Sequence, residues 1–275
     1  MASTSVKEVR RVREAVATHF GATRQSVPES PVAFASECLG FTLDDWQTEV
    51  LEEDNPRKIL LAGRQVGKST LGGILACHKA LSSPGSTVLL TAPSERQSKL
   101  LMRKVSQFYR MAGYPLAASS ERKTGLELSN GSIVEAVPAV ERTTRGYSVD
   151  LLIVDEAAAV PDADYFAILP ALIATRGEQL ILSTARGKRG FYFETYTSAS
   201  EAGWYEKTIR SDQVPDRIHA EDLEAFRKSM PAEFFEQEFL CRFLDTEGSL
   251  FSYEDIHAAL EAGENIEAIK DDDIW

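Results

Sequence analysis

The residues with the clearest chemical pattern follow a short apolar run, Lys58–Ala62, which has the features of a buried strand. The nine residues that begin at its last position are Ala62, Gly63, Arg64, Gln65, Val66, Gly67, Lys68, Ser69 and Thr70. Glycines let backbone N–H groups approach phosphate oxygens, and the helix expected over Ser69–Leu81 adds a positive dipole at its N-terminus. We therefore predict a phosphate-binding loop in which Lys68 contacts the β- and γ-phosphates of a nucleotide and Ser69 ligates Mg²⁺.

The loop departs from the common pattern G-x-x-x-x-G-K-[ST] at one position, because Ala62 replaces the first glycine. The alternative interpretation is a glycine-rich turn with an incidental lysine. The context of the loop, between a strand and a helix, favours phosphate binding.

Two carboxylates follow a second apolar run, Leu151–Val154. Ligands of open α/β sheets bind at the carboxyl ends of the strands, which is where Asp155 and Glu156 would lie. Asp155 would hold Mg²⁺, directly or through water, and Glu156 would orient and deprotonate an attacking water. The pair could instead cap the next helix. Its position 87 residues after Lys68 and behind four apolar residues favours catalysis.

Three weaker features fit the same site. Gln47, in Asp45-Trp46-Gln47, could read an adenine edge, whereas Trp46 is expected in the core. Ser183 and Thr184 end another apolar run and could sense phosphate or metal, although polar residues end many strands. Arg145, in a basic loop before the Asp–Glu strand, could supply a guanidinium to a developing phosphoryl charge or could belong to a solvated turn.

The elements that must position these residues alternate between strand and helix, which predicts a parallel sheet covered on both faces. Further strands are predicted at Thr87–Ala92 and Gln179–Ser183, and further helices over Glu95–Met111, near Asp164–Ala174 and within 220–241. Leu126–Val137 predicts a hairpin that turns at Asn130-Gly131. Residues 186–212 predict an antiparallel addition.

The organisation of the chain is predicted to comprise four segments. They are an N-terminal extension (1–40), an ATPase core (41–212), a helical lid or linker subdomain (213–250) and an acidic linker (251–275).

The net charge of −12 is concentrated near one end of the chain. Residues 245–275 carry −9 and residues 221–244 carry −3, so the first 220 residues sum to zero and can present a basic face to nucleic acid. Arg96, Lys99, Arg103 and Lys104 share one predicted helix and are candidates for DNA contact.

No apolar run approaches the roughly 20 residues of a membrane span. The three widely spaced cysteines fit buried thiols in a reducing compartment.

The motifs together resemble the ATPase domain of the large terminase subunit of tailed double-stranded DNA bacteriophages. The matching pieces are DDWQTEVL, LLAGRQVGKST, LLTAPSERQS, TTRGYSVDLLIVDEAAAV and ILSTARGKRGFYFETY, which span roughly residues 41–197. The resemblance implies an α/β P-loop NTPase fold of the ASCE type, with a parallel sheet flanked by helices and a small C-terminal lid subdomain.

The resemblance also implies roles for residues and partners. ATP and Mg²⁺ would be the cofactors, Glu156 the catalytic carboxylate, Ser183-Thr184 a coupling motif, and Arg145 an arginine offered to a neighbouring subunit, with Arg64 as its competitor within the subunit. The chain would translocate double-stranded DNA into a procapsid in the host cytoplasm, together with the portal protein and the small terminase subunit. We expect a homo-oligomeric ring when assembled and a monomer in isolation.

Members of this family also carry a nuclease domain, and the chain ends before one would fit. We therefore expect an isolated ATPase domain without nuclease activity. Two alternatives share parts of the pattern: a helicase-like DNA translocase, and a P-loop kinase of small molecules with Arg186–Arg189 in its lid.

Overall fold

The computed structural model describes residues 27–140 and 146–245. This part of the chain forms one eight-stranded sheet in the order β3-β4-β5-β2-β6-β7-β1-β8. The strands are β1 (Arg57–Ala62), β2 (Thr87–Ala92), β3 (Ala118–Arg122), β4 (Gly125–Leu128), β5 (Ile133–Pro138), β6 (Leu151–Asp155), β7 (Glu178–Ser183) and β8 (Tyr205–Ile209). All neighbouring strands from β5 to β8 pair in parallel, and β3 and β4 add an antiparallel edge.

Helices cover both faces of the sheet. Those on one side are α1 (Pro31–Ala33, continuing as the π-helical turn Phe34–Cys38), α2 (Asp45–Glu52), α3 (Lys68–Ser82) and α4 (Glu95–Met111). Those on the other side are α5 (Asp162–Ile168), α6 (Pro170–Ile173) and α7 (Gly190–Thr197). Two further helices, α8 (Ala220–Ser229) and α9 (Ala232–Leu240), form a small cluster around Leu223, Phe235 and Phe239.

The central strands alternate their side chains between two hydrophobic cores. In β1, Leu60 packs on the α3 side and Ile59 on the opposite side, and β6 divides Ile153 and Leu152 in the same way. This two-residue period is that of a strand buried on both faces, and it explains the continuous apolar runs in the sequence. The predicted parallel α/β sheet is confirmed.

The order of strands sets the geometry of the site. β7 lies between β1, which leads into the predicted phosphate loop, and β6, which ends at Asp155. One strand inserted between these two is the arrangement of ASCE-type P-loop domains. The carboxyl ends of all three strands therefore meet at one edge of the sheet.

The predicted hairpin at Leu126–Val137 is confirmed by β4 and β5, but the antiparallel addition in 186–212 is wrong. Gly190–Thr197 is helix α7, and β8 pairs in parallel with β1. The aromatic run favoured a strand by propensity, yet its rings pack under the sheet, where Phe191 stacks on Tyr165 at 3.9 Å between ring centroids. A parallel return also requires a crossover connection, and α7 supplies one.

Two helical regions are divided by prolines. Pro170 begins α6 after α5 ends, and Pro231 separates α8 from α9. Proline lacks the N–H that a continuing helix needs, so each predicted single helix becomes two.

The N-terminal and thiol predictions have mixed outcomes. Phe34 and Ala35 are fully buried in the core on the α3 side, so this part of the predicted extension packs against helix α3, where the Phe34 and His78 ring centroids are 5.6 Å apart. All three cysteines are free thiols, but Cys38 is half-buried, whereas Cys77 and Cys241 are buried.

The segment boundaries at 40, 212 and 250 remain predictions. Within the described ranges, every helix is too short or too polar to cross a bilayer.

Candidate nucleotide-binding site

The predicted phosphate loop connects β1 to α3 at the carboxyl edge of the sheet. Gly67, the residue before α3, has φ of +100°, a conformation that favours glycine. Gln65 also has positive φ, at 63°, which is strained for a residue with a side chain. Strain of this kind clusters at functional sites. The loop leads into the N-terminus of a 15-residue helix, which favours a bound anion.

The alanine at the first loop position is explained by the sheet. Ala62 is the last residue of β1, pairs with Ile209 of β8 and is fully buried, so its backbone is ordinary strand. The requirement for glycine falls one residue later. A Cβ on Gly63 would overlap Ser211 Oγ and lie 2.8 Å from the Phe239 carbonyl oxygen, so only glycine fits there.

Lys68 and Glu156, which the sequence predicted as phosphate ligand and base, lie together. Lys68 Nζ is 3.2 Å from Glu156 Oε1, and the lysine side chain is only 10% exposed against 33% for the glutamate. A buried ammonium needs an anionic partner, and here the carboxylate provides it. Lys68 thus points into the cleft, at the start of α3, where a phosphate would compete with Glu156 for it.

Asp155 and Ser69, the residues predicted to hold Mg²⁺, are hydrogen-bonded to each other. The Ser69 hydroxyl donates to Asp155 Oδ2 at 2.9 Å, and the Glu156 N–H donates to Asp155 Oδ1 at 3.0 Å. Burial raises the pKa of the Asp155 carboxyl and the Glu156 charge raises it further, while Lys68 and Ser69 oppose the shift. A buried carboxylate and a hydroxyl in contact are hard oxygen donors, so this pair fits Mg²⁺ well.

The backbone of Glu156 is unusual. With φ of 53° and ψ of 42° it lies in the left-handed region, which costs a non-glycine residue of order 1–3 kcal/mol. This conformation ends β6 abruptly and sends the carboxylate toward Lys68. The outlier at the predicted base supports a functional role for this position.

The predicted coupling residues lie between the loop and the acidic pair. Ser183 ends β7, and its hydroxyl accepts a hydrogen bond of 3.1 Å from the Ala158 N–H, two residues after Glu156. Thr184 follows and is buried. Ser183 therefore connects the strand beside β1 to the turn that carries Glu156.

Of the two arginines proposed to stabilise phosphoryl charge, only Arg64 lies among the described residues. Arg64 is 59% exposed and its Nε donates to Glu238 Oε2 of α9 at 2.5 Å, so the arginine is held toward the helical cluster. Its backbone N–H donates to the Glu238 carbonyl at 2.8 Å. Arg145 lies outside the described residues, and its role remains a prediction.

Gln47 is fully buried near the phosphate loop, close to Gly67. Its Oε1 accepts hydrogen bonds of 3.1 Å from both the Asp44 N–H and the Arg217 guanidinium, while its Nε2 has no partner among the described residues. The bidentate adenine contact expected from the sequence needs a free Oε1 as well as Nε2, and in this conformation only Nε2 is free. Trp46 is in the core, as predicted.

Two cations at the site were not predicted there. Arg217, from the loop before α8, contacts Asp44 and Gln47, and Lys104, from α4, lies 3.3 Å from the Thr70 hydroxyl. Both line a cleft of about 370 Å³ that also includes Lys68 and Glu156. Sequence spacing could not place them, because their proximity to the loop depends on how distant elements pack. Arg96 and Arg103 are exposed elsewhere on α4 and remain candidates for DNA contact.

This fold and this site define a P-loop nucleotide-binding domain of the ASCE type. Residues 59–258 match the family described as "Terminase large subunit, T4likevirus-type, N-terminal", which is more than half of the chain. The chain therefore belongs to the terminase large-subunit family.

Individual relatives agree with this assignment. The terminase large subunit of Thermus virus P23-45 is 27% identical over 244 residues, which cover 72% of this chain and 50% of the relative. The chain thus spans about half the length of that curated relative.

Solved structures show the same fold. The large terminase ATPase domain of Thermus phage P74-26 superposes with a TM-score of 0.69 at 23% identity, covering 79% of this chain and all of that domain. The large terminase of another thermophilic bacteriophage, solved in complex with ADP, superposes with a TM-score of 0.60 at 9% identity, covering 80% of this chain and 54% of that one.

Proposed function

We propose that this chain is the ATP-hydrolysing motor domain of a large terminase subunit and drives viral double-stranded DNA into a procapsid. The observation that carries the proposal is the convergence of Lys68, Glu156 and the Ser69–Asp155 pair at one sheet edge. Family membership supplies the biological context. The ADP complex of the thermophilic bacteriophage terminase supports nucleotide as the ligand.

In this proposal the loop residues 62–70 hold the phosphates of ATP, with Lys68 as the charged contact. Ser69 and Asp155 hold Mg²⁺, which when bound neutralises phosphate charge. Glu156 accepts a proton from the attacking water. At the same time the water oxygen bonds to the γ-phosphorus, and the bond between that phosphorus and the bridging oxygen of ADP breaks. The products are ADP and inorganic phosphate.

Glu156 is suited to this step by its surroundings. Its side chain is one-third exposed, so water can reach it, and the ammonium of Lys68 lies 3.2 Å away as its counter-ion. When phosphate oxygens compete for Lys68, the carboxylate becomes available to water. The ion pair thus holds both groups in position at the cleft.

Other residues around the cleft have supporting roles in this proposal. Ser183 and Thr184 transmit the state of the site through Ala158, Gln47 Nε2 donates to the nucleotide, and Arg64 or Arg145 stabilises phosphoryl charge. The partners are double-stranded DNA, the portal protein on the procapsid, the small terminase subunit and further copies of this chain in a ring. The site of action is the host cytoplasm.

The test is ATP hydrolysis by the purified chain, measured alone, with double-stranded DNA, and with DNA and procapsids. We expect hydrolysis in all three conditions and the highest rate with procapsids. Hydrolysis stimulated by DNA but indifferent to procapsids would favour a helicase-like translocase. Absence of ATP hydrolysis in all three conditions would contradict the proposal.

A further inference from the structure

Lys104 differs from the other cations of the nucleotide cleft in its partner. Lys68 pairs with Glu156, Arg64 with Glu238, and Arg217 with Asp44. The ammonium of Lys104 instead contacts a neutral group, the hydroxyl of Thr70 at 3.3 Å, and no carboxylate of the described residues lies within ion-pair distance. An uncompensated positive charge in a cleft favours an anionic ligand.

The packing of two helices places Lys104 there. Helix α4 crosses α3 at Gly73, where a Cβ would lie 2.8 Å from the Phe108 ring and 3.2 Å from Lys104 Cβ. Glycine in a helix interior costs up to about 1 kcal/mol relative to alanine, and here its small size permits the close approach. As a result Lys104 lies beside Thr70, the third residue of α3.

The periodicity of α4 separates Lys104 from the basic face of the same helix. Leu101 and Phe108, three residues before and four after Lys104, are buried against α3 and the sheet. Arg96 and Arg103 are exposed, and Lys99 pairs with Glu95. Lys104 is half-buried and faces the same cleft as the phosphate loop.

We propose that Lys104 is a phosphate ligand of the bound nucleotide, supplied to the loop by a neighbouring helix. The inference rests on the proposed function. Because Lys104 is next to Thr70 whereas Glu156 pairs with Lys68, Lys104 strengthens the binding of ADP and ATP alike and takes no part in proton transfer. It is a binding residue, and its loss raises Kd and KM and leaves kcat at saturating ATP nearly unchanged.

The experiment measures ADP affinity by calorimetry for the 275-residue chain and three variants. Lys104→Ala is expected to weaken ADP binding about tenfold, the effect of losing one charge-assisted hydrogen bond. Lys104→Arg retains most of the affinity. Arg103→Ala, which removes a cation from the exposed face of the same helix, is the matched control and binds ADP as the wild type does. Thermal unfolding verifies that each variant is folded, and Lys104→Gln replaces Lys104→Ala if that variant fails to fold.

The outcomes separate the inference from the proposed function. Wild-type chain that binds no ADP contradicts the proposed function itself. Wild-type binding with Lys104→Ala within twofold of it overturns only the inference. Unchanged ADP affinity together with weaker binding of double-stranded DNA also overturns it, and would assign Lys104 to DNA phosphates instead.

Discussion

Lys68 Nζ lies 3.2 Å from Glu156 Oε1, so the cation assigned to phosphate binding and the carboxylate assigned to proton transfer neutralise each other in the cleft. In the proposed function, each is expected to change partner when a nucleotide binds. The two residues are 88 positions apart in the chain and meet because β1 and β6 end at the same sheet edge. Their different tasks lead to different expected effects of substitution.

Replacing Glu156 with alanine should abolish turnover and preserve binding. In the proposed function the carboxylate acts on water, so kcat is expected to fall by about 10²-fold or more, the usual effect of losing a general base. ADP affinity should stay equal or increase, because Lys68 loses its competing partner. Steady-state kinetics and calorimetry measure the two quantities, with Glu221→Ala on exposed α8 as the control. Near-normal turnover would show that another group is the base.

Replacing Lys68 with alanine should weaken binding as well as turnover. In the proposed function the ammonium contacts phosphate, so both ADP and ATP are expected to bind about tenfold or more weakly. The comparison variant is Lys123→Ala, which removes an exposed lysine between β3 and β4. Equal ADP affinity in Lys68→Ala and wild type would rule out this lysine as a phosphate ligand.

Replacing Gly63 with alanine should destabilise the domain. The new methyl group would meet Ser211 Oγ and the Phe239 carbonyl, and overpacking of this kind costs about 1–3 kcal/mol of unfolding free energy. Urea unfolding measures the loss. The double variant Gly63→Ala/Ser211→Ala removes the nearer contact and should recover part of it. An unchanged unfolding midpoint would mean that the loop and α9 are not packed as described.

Much of this fold could be predicted from the sequence, because it depends on local periodicity. The runs at Thr87–Ala92 and Glu95–Met111 have the bounds that the structure gives β2 and α4. The Asp–Glu pair was found for the same reason, since it directly follows an apolar strand. The predicted antiparallel addition is wrong at Gly190–Thr197 because tertiary packing, and not local periodicity, decides the structure there. Its aromatic residues have strand propensity, but their burial under the sheet decides the conformation.

The residues of the site that the sequence did not predict all come from elements distant from the phosphate loop in the chain. Arg217 and Lys104 enter the cleft from segments far from the loop in sequence, and no spacing rule links them to Lys68. The contact between Arg64 and Glu238 likewise depends on how α9 packs against the loop. Motif spacing identifies residues on one strand–loop–helix unit, whereas neighbours supplied by other elements require the fold.

Mixing two inactive variants should test whether Arg145 acts between subunits. In a ring, a Glu156→Ala subunit can lend its Arg145 to an Arg145→Ala subunit that retains its own base. An arginine supplied in this way is worth about 10³–10⁵ in kcat, so partial recovery of ATPase activity in the mixture is expected. Absence of recovery, under conditions where wild-type rings form, would favour Arg64 acting within its own subunit.

Glu156 is proposed to activate the water that cleaves ATP at this loop. The most direct measurement is a single turnover of Mg²⁺-ATP with excess chain, DNA and procapsids in ¹⁸O-labelled water. The expected result is inorganic phosphate that carries one oxygen from the solvent, formed by the wild type and reduced by about 10²-fold or more in Glu156→Ala. Unlabelled phosphate, ADP formed without phosphate, or labelled phosphate released by Glu156→Ala at the wild-type rate would each contradict it.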